Sequence, residues 1–296
     1  MDLAYLRAHP HHLPTFLTHQ RIRETPVSGG SICTASRLTL DDGADVFTKT
    51  WPERATEPVP DGFFTTEARG LDWIRVPDGP PVPEVIVALP QMLALEWVQP
   101  GEPTDRAAED LGRALSRMHR AGADHFGAPW PGFIGALPQD NASDPGPWGR
   151  WFAERRLQRY LERSTDNGAL TGTERDLVEQ VINNIERYGG SEAPSRIHGD
   201  LWPGNVLWGA DGRGWLVDPA AHGGHRETDL AQLALFGGVP HLDRLLAAYQ
   251  EESPLQDGWR QRVPVHQLHL LLVHTALFGP AYRSAVVASA DAALRA

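Results

Sequence analysis

Apolar positions in the first hundred residues follow two rhythms. Short runs with strand character, "RIRETPV" (21–27), "ICTASRLTL" (32–40) and "DVFTKTW" (45–51), are separated by turn signals, and "DDG" at 41–43 joins the last two. Over 61–76, "DGFFTTEARGLDWIRV", the apolar residues Phe63, Phe64, Leu71 and Ile74 fall at helical spacing behind Asp61, which is able to cap the helix. "VIVAL" (85–89) and "MLALEWV" (92–98) return to strand character. Residues 3–20 read as a helix broken by Pro10 and Pro14.

Beyond "QPGEPTD" (99–105) the spacing becomes helical, over 105–120, 147–164, 173–188, 227–236, 240–251 and 262–279. Thr104, Thr171 and Thr173 stand where N-caps belong. The Pro/Gly-rich stretch 127–147 reads as a long surface loop. The pattern therefore predicts an α+β chain of two lobes. Residues 1–98 form a small antiparallel-sheet N-lobe with one main helix. Residues 99–296 form a larger, mainly helical C-lobe, entered through a hinge near 98–103.

Charge and composition narrow the functions. The formal net charge of −11 argues against non-specific binding to nucleic acid or anionic lipid, both of which need a positive surface. "LHLLLVHTALFG" (268–279) is too short for a membrane span and carries His269 and His274, so it reads as a buried helix. The amino-terminal residues lack a basic segment followed by an apolar block, so no secretion signal is expected. The one cysteine, Cys33, excludes an internal disulfide framework and suits a reducing cytoplasm. Among 27 Lys and Arg residues there is a single lysine, Lys49. An Arg-rich chain that keeps one ammonium points to a position where a planar guanidinium does not serve, such as a phosphate contact in a tight cleft.

The stretch "RIHGDLWPGNVLWGADGRGWLVDPAAHGG" (196–224) carries the remaining chemistry. "NVLW" and "GWLVD" flank "GADGRG", and Asp-Gly is a strong hairpin signal. A two-residue turn centred on Asp211–Gly212 would set Trp208 opposite Trp215 and Asn205 opposite Asp218. An amide oxygen beside a carboxylate is a hard-oxygen pair suited to Mg²⁺. Asp200 precedes the hairpin on a loop with Gly199 and Gly204, near the metal but separate from it, as suits a base that takes a proton from a hydroxyl.

These residues match a known pattern. "HGDLWPGN" resembles the H-x-D-L-x-x-x-N catalytic loop of the protein-kinase-like superfamily. "VFTK" sits where that fold has its strand lysine, Glu67 where the ion-pair partner is expected, and Asp218 at the metal position, in "DPA" rather than D-F-G. No A-P-E follows, and Asp218 leads within eleven residues to "HRETDLA", which favours the small-molecule kinase branch over protein kinases. Most closely the chain resembles the fructosamine (ketosamine) kinase family. The carriers are "SGGSI" (28–32), "TEARGL" (66–71), "FGAPWPGFIGALPQDN" (126–141), "WFAERRL" (151–157), "HGDLWPGN" and "GHRETDLAQLALFGG" (224–238). The resemblance spans nearly the whole chain.

It implies ATP-dependent phosphorylation of a hydroxyl on a sugar-amine adduct, with Mg²⁺, after which the product releases the free amine. By the same resemblance Asp200 is the base, Asn205 and Asp218 hold metal, and Lys49, held by Glu67, binds the α/β-phosphates. Ser28, Gly29, Gly30 and Ser31 approach the phosphates, and Glu96, Trp97 and Val98 lie at the hinge, where backbone groups can pair with adenine. Trp202 is expected to line the sugar pocket, with His225 and Glu227 as further substrate-side candidates. His198 and Asp229 are expected to brace the catalytic loop. The nucleotide loop is "SGGS" and not G-x-G-x-x-G, and "HGG" (222–224) replaces an aromatic residue common in relatives. The expected partner is a small sugar-amine or glycated amine, with no nucleic acid or membrane, acted on by a monomer. The alternatives are an aminoglycoside- or choline-type phosphotransferase and, in another class, an inactive nucleotide-binding module.

Overall fold

Alternation along one strand decides which side of the amino-terminal sheet becomes the working face. In the computed structural model, which describes residues 1–19, 22–28, 30, 32–52, 54–55, 57–144, 146–188 and 192–296, five antiparallel strands lie in the order β1-β2-β3-β5-β4. They are β1 (Arg23–Pro26), β2 (Thr34–Thr39), β3 (Asp45–Thr50), β4 (Val85–Leu89) and β5 (Met92–Glu96). On β3, Val46 and Thr48 turn to one face, where Val46 joins a core of Leu6, Leu13, Leu38, Met92 and Ala94. Leu6 and Leu13 come from two short helices, α1 (Leu3–Ala8) and α2 (Leu13–Thr18), separated at the Pro10 turn. Phe47 and Lys49 turn to the other face, with Lys49 opposite Leu93 of β5. Helix α3 (Phe63–Ile74) crosses that same face and buries Phe64, Leu71 and Ile74 against Leu93 and Leu95. One period-two strand thus brings Lys49 under the helix that carries Glu67.

The core on this face continues into the second lobe through α4 (Asp105–Arg120), which contributes Ala108, Leu111, Leu115 and Met118. Thr104 caps α4 by accepting the Ala107 N–H at 3.1 Å. A second core gathers α5 (Trp148–Phe152), α6 (Arg159–Asp166), α7 (Gly172–Asn183), α10 (Trp259–Phe278) and α11 (Arg283–Arg295), while α8 (Arg226–Gln232) and α9 (Leu242–Glu252) flank α4 and α10. Thr171 and Glu174 close a capping box at the start of α7. A π-helical turn over Ala153–Gln158 links α5 to α6.

Two sequence expectations are corrected. The 127–147 stretch is not simply a surface loop. It folds into a hairpin, β6 (Gly132–Ile134) and β7 (Leu137–Gln139), that buries Ile134 and Leu137 in the C-lobe core. Its strands are three residues each and interrupted by Gly and Pro, so tertiary packing rather than local propensity makes them. The hairpin of β9 (Val206–Trp208) and β10 (Gly214–Leu216) forms one residue out of the expected register, with Trp208 opposite Gly214 and Leu207 opposite Trp215. Its loop holds three residues, closed by the Gly209 N–H on Arg213 O at 2.9 Å, with Gly212 at φ +76°. The Asp211 carboxylate causes this: it accepts the Arg213 N–H at 3.1 Å and keeps Asp211 out of the left-handed region that the tighter turn needs.

Candidate active site

A two-stranded ladder, β8 (Ser195–Ile197) with β11 (His222–Gly224), delivers the chain into the loop that follows Ile197. Gly199 is required there. Its φ is +82°, and a Cβ would lie 2.4 Å from Ala220 O. Asp229 of α8 accepts the main-chain N–H groups of His198 at 2.7 Å and Gly199 at 2.9 Å, and His119 of α4 meets the same carboxylate at 3.1 Å. His198 accepts the Asp200 N–H on Nδ1 at 3.2 Å, so Nε2 carries the proton donated to Val217 O at 2.9 Å. Gln232 completes the brace from a fully buried position, accepting from Leu201 N–H at 2.7 Å and donating to Gly199 O at 3.2 Å. Sequence reasoning missed Gln232. Its only signal was its place one turn beyond Asp229 on the same helical face.

Inside this frame Asn205 donates Nδ2 to Asp200 O at 2.8 Å and to the Asp200 carboxylate at 3.2 Å, which leaves its amide oxygen for another partner. Asp200 Oδ1 is buried without a hydrogen-bond partner. Asp218 lies one step beyond the β9–β10 ladder, whose last bond is Val217 N–H to Asn205 O at 3.1 Å. Its φ of +56°, uncommon for a residue other than glycine, re-aims the side chain. The register shift removes the expected cross-strand pairing of Asn205 with Asp218, and the contact that remains is Asn205 Nδ2 donating to the Asp218 main-chain O at 3.5 Å.

Lys49 Nζ lies 2.7 Å from Asp218 Oδ1 and 3.1 and 2.9 Å from the two oxygens of Glu67. One ammonium faces two carboxylates, with Asp200 near Asp218, and their proton affinities divide accordingly. Burial works against the Lys49 charge, but Asp218 and Glu67 outweigh it and hold the amine above its ordinary range. Burial likewise opposes the Asp218 carboxylate, yet Lys49 keeps that carboxyl below its usual value. Burial pushes Glu67 up to about 7 against the pull of Lys49. Asp200 rises well above the ordinary carboxyl range, first from burial and then from the Asp218 charge. An excess of hard carboxylate oxygen around one ammonium, with the Asp218 side chain open to the cleft at 41% exposure, is a setting that a divalent cation would neutralise.

The remaining candidates divide. Glu96 ends β5 and accepts the Glu84 N–H on its side chain at 3.2 Å, Trp97 stacks under the Arg37 guanidinium at 4.9 Å, and Val98 follows. They lie where the sheet passes to α4, just before Gly101, whose N–H donates to Trp208 O at 2.7 Å. Ser28 and Gly30 are exposed, with Gly30 at φ +78°, while Gly29 and Ser31 lie outside the described residues. Trp202 is half-buried over Gly204, where a Cβ would strike its ring at 2.1 Å, and it meets Phe236 edge-on at 5.9 Å. Cys33 is half-buried near Lys49, and burial pushes its thiol up to about 12, which keeps it protonated.

His225 and Glu227 are not gathered with these groups. β11 runs antiparallel to β8, so the chain at Gly224 has reached the end of the ladder opposite the loop that carries Asp200. There Glu227 is 2% exposed and its carboxylate is gripped by Arg262 at 2.8 and 2.5 Å, while His225 Nδ1 accepts the Glu227 N–H at 3.2 Å. Their side chains serve the C-lobe interior. The ligand atoms of His225, Glu227 and His266 lie within 4.8 Å of one another, but a metal there would have to displace a guanidinium.

Fold and site together define the class. A small antiparallel sheet with a Lys–Glu pair, set over a helical lobe with an H-x-D-x-x-x-x-N loop and a following Asp, is a protein-kinase-like phosphotransferase. At 12% identity an ADP-bound aminoglycoside phosphotransferase shares the fold, with a TM-score of 0.62 over 96% of this chain and 98% of that one. The family follows from closer matches. The fructosamine kinase family model matches residues 11–296, and the chain belongs to that family. A crystal structure from Thermobifida fusca, provisionally named a fructosamine-3-kinase, is 49% identical with a TM-score of 0.87, covering 93% of this chain and 94% of that one. A probable ketoamine kinase of Enterococcus faecium is 35% identical over 88% of this chain and 91% of its own length. A chloroplastic protein-ribulosamine 3-kinase of Arabidopsis thaliana is 32% identical over 91% and 82%.

Proposed function

We propose that this chain transfers the γ-phosphoryl group of ATP to a hydroxyl of a ketosamine, a sugar-amine adduct of the fructosamine or ribulosamine type, and so begins deglycation. The observation that carries this reading is Asp200 Oδ1, a buried, unpartnered acceptor on a carboxylate that Asn205 Nδ2 reaches at 3.2 Å, while the same amide approaches the main chain of Asp218, the partner of Lys49. Asp200 accepts the proton of the attacking hydroxyl, and its raised proton affinity strengthens it as a base. Lys49, oriented by Glu67, holds the α/β-phosphates. Ser28 and Gly30, both exposed, approach them, and the main chain of Glu96–Val98 receives the adenine.

Mg²⁺ would be held by Asn205 Oδ1 and the Asp218 carboxylate. When bound it neutralises phosphate charge, which with alignment is most of what phosphoryl transfer asks of a protein. Trp202 offers a ring face to the C–H side of the sugar. We assign residues 1–98 and 99–296 to the two lobes, take the protein to be a monomer, and place it in the cytoplasm, where a single protonated thiol is at ease.

The test is ADP release on a panel of fructosamine, ribulosamine and erythrulosamine adducts, with kanamycin and choline as controls. Turnover on at least one ketosamine with none on the controls supports the proposal. Turnover on kanamycin or choline alone overturns the substrate class, and no ATP-dependent turnover on any of them favours an inactive nucleotide-binding module.

A further inference from the structure

Helix α3 carries Glu67, and something must hold that helix over the cleft. Only residues 219–225 separate Asp218 from α8, and three of them form β11, so the chain has no activation segment to do it. The arm that runs through the β6–β7 hairpin reaches α3 instead. Phe133 of β6 meets Phe63, in the first turn of α3, edge-on at 5.3 Å. Trp130, just before β6, meets Trp73 near the end of α3 edge-on at 5.7 Å, and Arg69 of α3 lies over the Trp130 ring at 5.9 Å. Ten residues of helix put the two anchors roughly 15 Å apart, with Glu67 between them. One anchor would leave a rod free to swivel, whereas two that far apart fix its direction.

The helix faces agree. Phe63, Glu67 and Gly70 stand at i, i+4 and i+7, within one stripe of α3. Gly70 lets the helix close on the segment after Asp218, since a Cβ there would lie 3.3 Å from Pro219 Cγ. The arm is itself tied to the C-lobe. Gly127 and Gly223 exchange main-chain hydrogen bonds of 2.9 and 2.8 Å, and Arg156 holds the far side through Asp140 O at 2.5 Å and Asn141 Oδ1 at 2.8 Å.

We propose that Phe133 and Trp130 are positioning residues for Glu67: carried on a C-lobe arm, they clamp both ends of α3 and keep the Lys49–Glu67 pair formed without any activating event. The inference rests on the proposed nucleotide role of that pair. Neither aromatic ring touches a reacting atom.

The experiment measures kcat and the KM for ATP, on a fructosamine, for Phe133→Ala, Phe133→Leu and Trp130→Ala, each alone and combined with Glu67→Gln. Loss of either clamp should lower kcat about 10- to 100-fold, the scale of a misplacement remote from the chemistry. Phe133→Leu should restore most of it, and neither clamp variant should lower turnover further once Glu67 is Gln. Near-normal kcat in both alanine variants, or effects that multiply with Glu67→Gln, would overturn this inference alone. Wild-type turnover in Glu67→Gln by itself would overturn both this inference and the nucleotide role of the pair. If Phe133→Ala does not fold, Trp130→Ala, at a half-buried ring at the other anchor, decides the question.

Discussion

Asp229 and His198 are joined by a 2.7 Å hydrogen bond from the His198 main-chain N–H to the buried carboxylate, and the adjoining Gly199 N–H reaches the other oxygen at 2.9 Å. The loop that carries Asp200 is therefore hung from α8 by its backbone. Asp229→Ala would leave two buried amides and the His119 ring without an acceptor, at about 1–3 kcal/mol for each orphaned group. We expect a loss of at least about 3 kcal/mol of unfolding free energy in urea. Below its melting temperature the variant should show a lowered kcat, because the loop under Asp200 has lost its anchor. Wild-type stability would mean that the amides find other partners.

Asp200→Asn keeps the shape of the side chain and removes its basicity. Turnover should fall about 10²–10⁴-fold, the usual contribution of a general base. Affinity for Mg·ATP, measured by calorimetry, should change little, since Asp200 is proposed to act on the hydroxyl and not on the nucleotide. A variant that turns over near the normal rate removes Asp200 from the chemistry.

Lys49→Arg tests why a chain with 26 arginines keeps one lysine, a count that follows from 27 cations of which one is Lys. The ammonium sits with its side chain 11% exposed, between Glu67 at 2.9 Å and Asp218 at 2.7 Å. A guanidinium is wider and planar, and cannot meet both carboxylates from the same stem without pushing α3 or Asp218 aside. We expect kcat/KM for ATP to drop about 10²-fold, as for a misplaced reactant, with the fold retained. Equal kcat/KM would show that only the charge matters there.

Much of this site could be read before any coordinates, because chemistry sets residue types at fixed spacing. Asp200, Asn205 and Asp218 declared themselves through loop and hairpin signals, and Lys49 through its isolation. What failed depended on partners distant in sequence. The hairpin register slipped because a side chain, Asp211, chose the turn, and a two-residue Asp-Gly turn ignores that hydrogen bond. The β6–β7 strands are too short and too rich in Gly and Pro to show a period, and exist because the cores of both lobes receive them. His225 and Glu227 look like exposed site residues in a polar string, but polar residues can also be buried when Arg262 and His266 wait for them 35 or more positions away. No local pattern reveals such a pairing.

That pair supplies the last prediction, on stability against pH. Burial alone would raise the Glu227 carboxyl, but Arg262, with His266 and His225 behind it, lowers it to about 2 from an ordinary 4.5. A carboxyl depressed by folding stabilises the native state above its ordinary value, and that contribution is lost as the pH falls from about 4.5 toward 2. The shift corresponds to roughly 3 kcal/mol at neutral pH. Arg262→Met strands the buried carboxylate and should cost about 3–5 kcal/mol at pH 7. In the variant Glu227 takes up a proton at a higher pH, so the gap from wild type should narrow steadily as the solution is acidified. Burial, and Arg262 with it, holds the His225 and His266 rings below their ordinary range, so removing Arg262 lets both take up protons at a higher pH, which narrows the gap in the same direction. Urea denaturation of the two proteins at pH 7, 5 and 3.5 measures the gap directly. A gap that stays constant across that range would mean that Arg262 contributes through packing, and that the Glu227 charge does not matter to the fold.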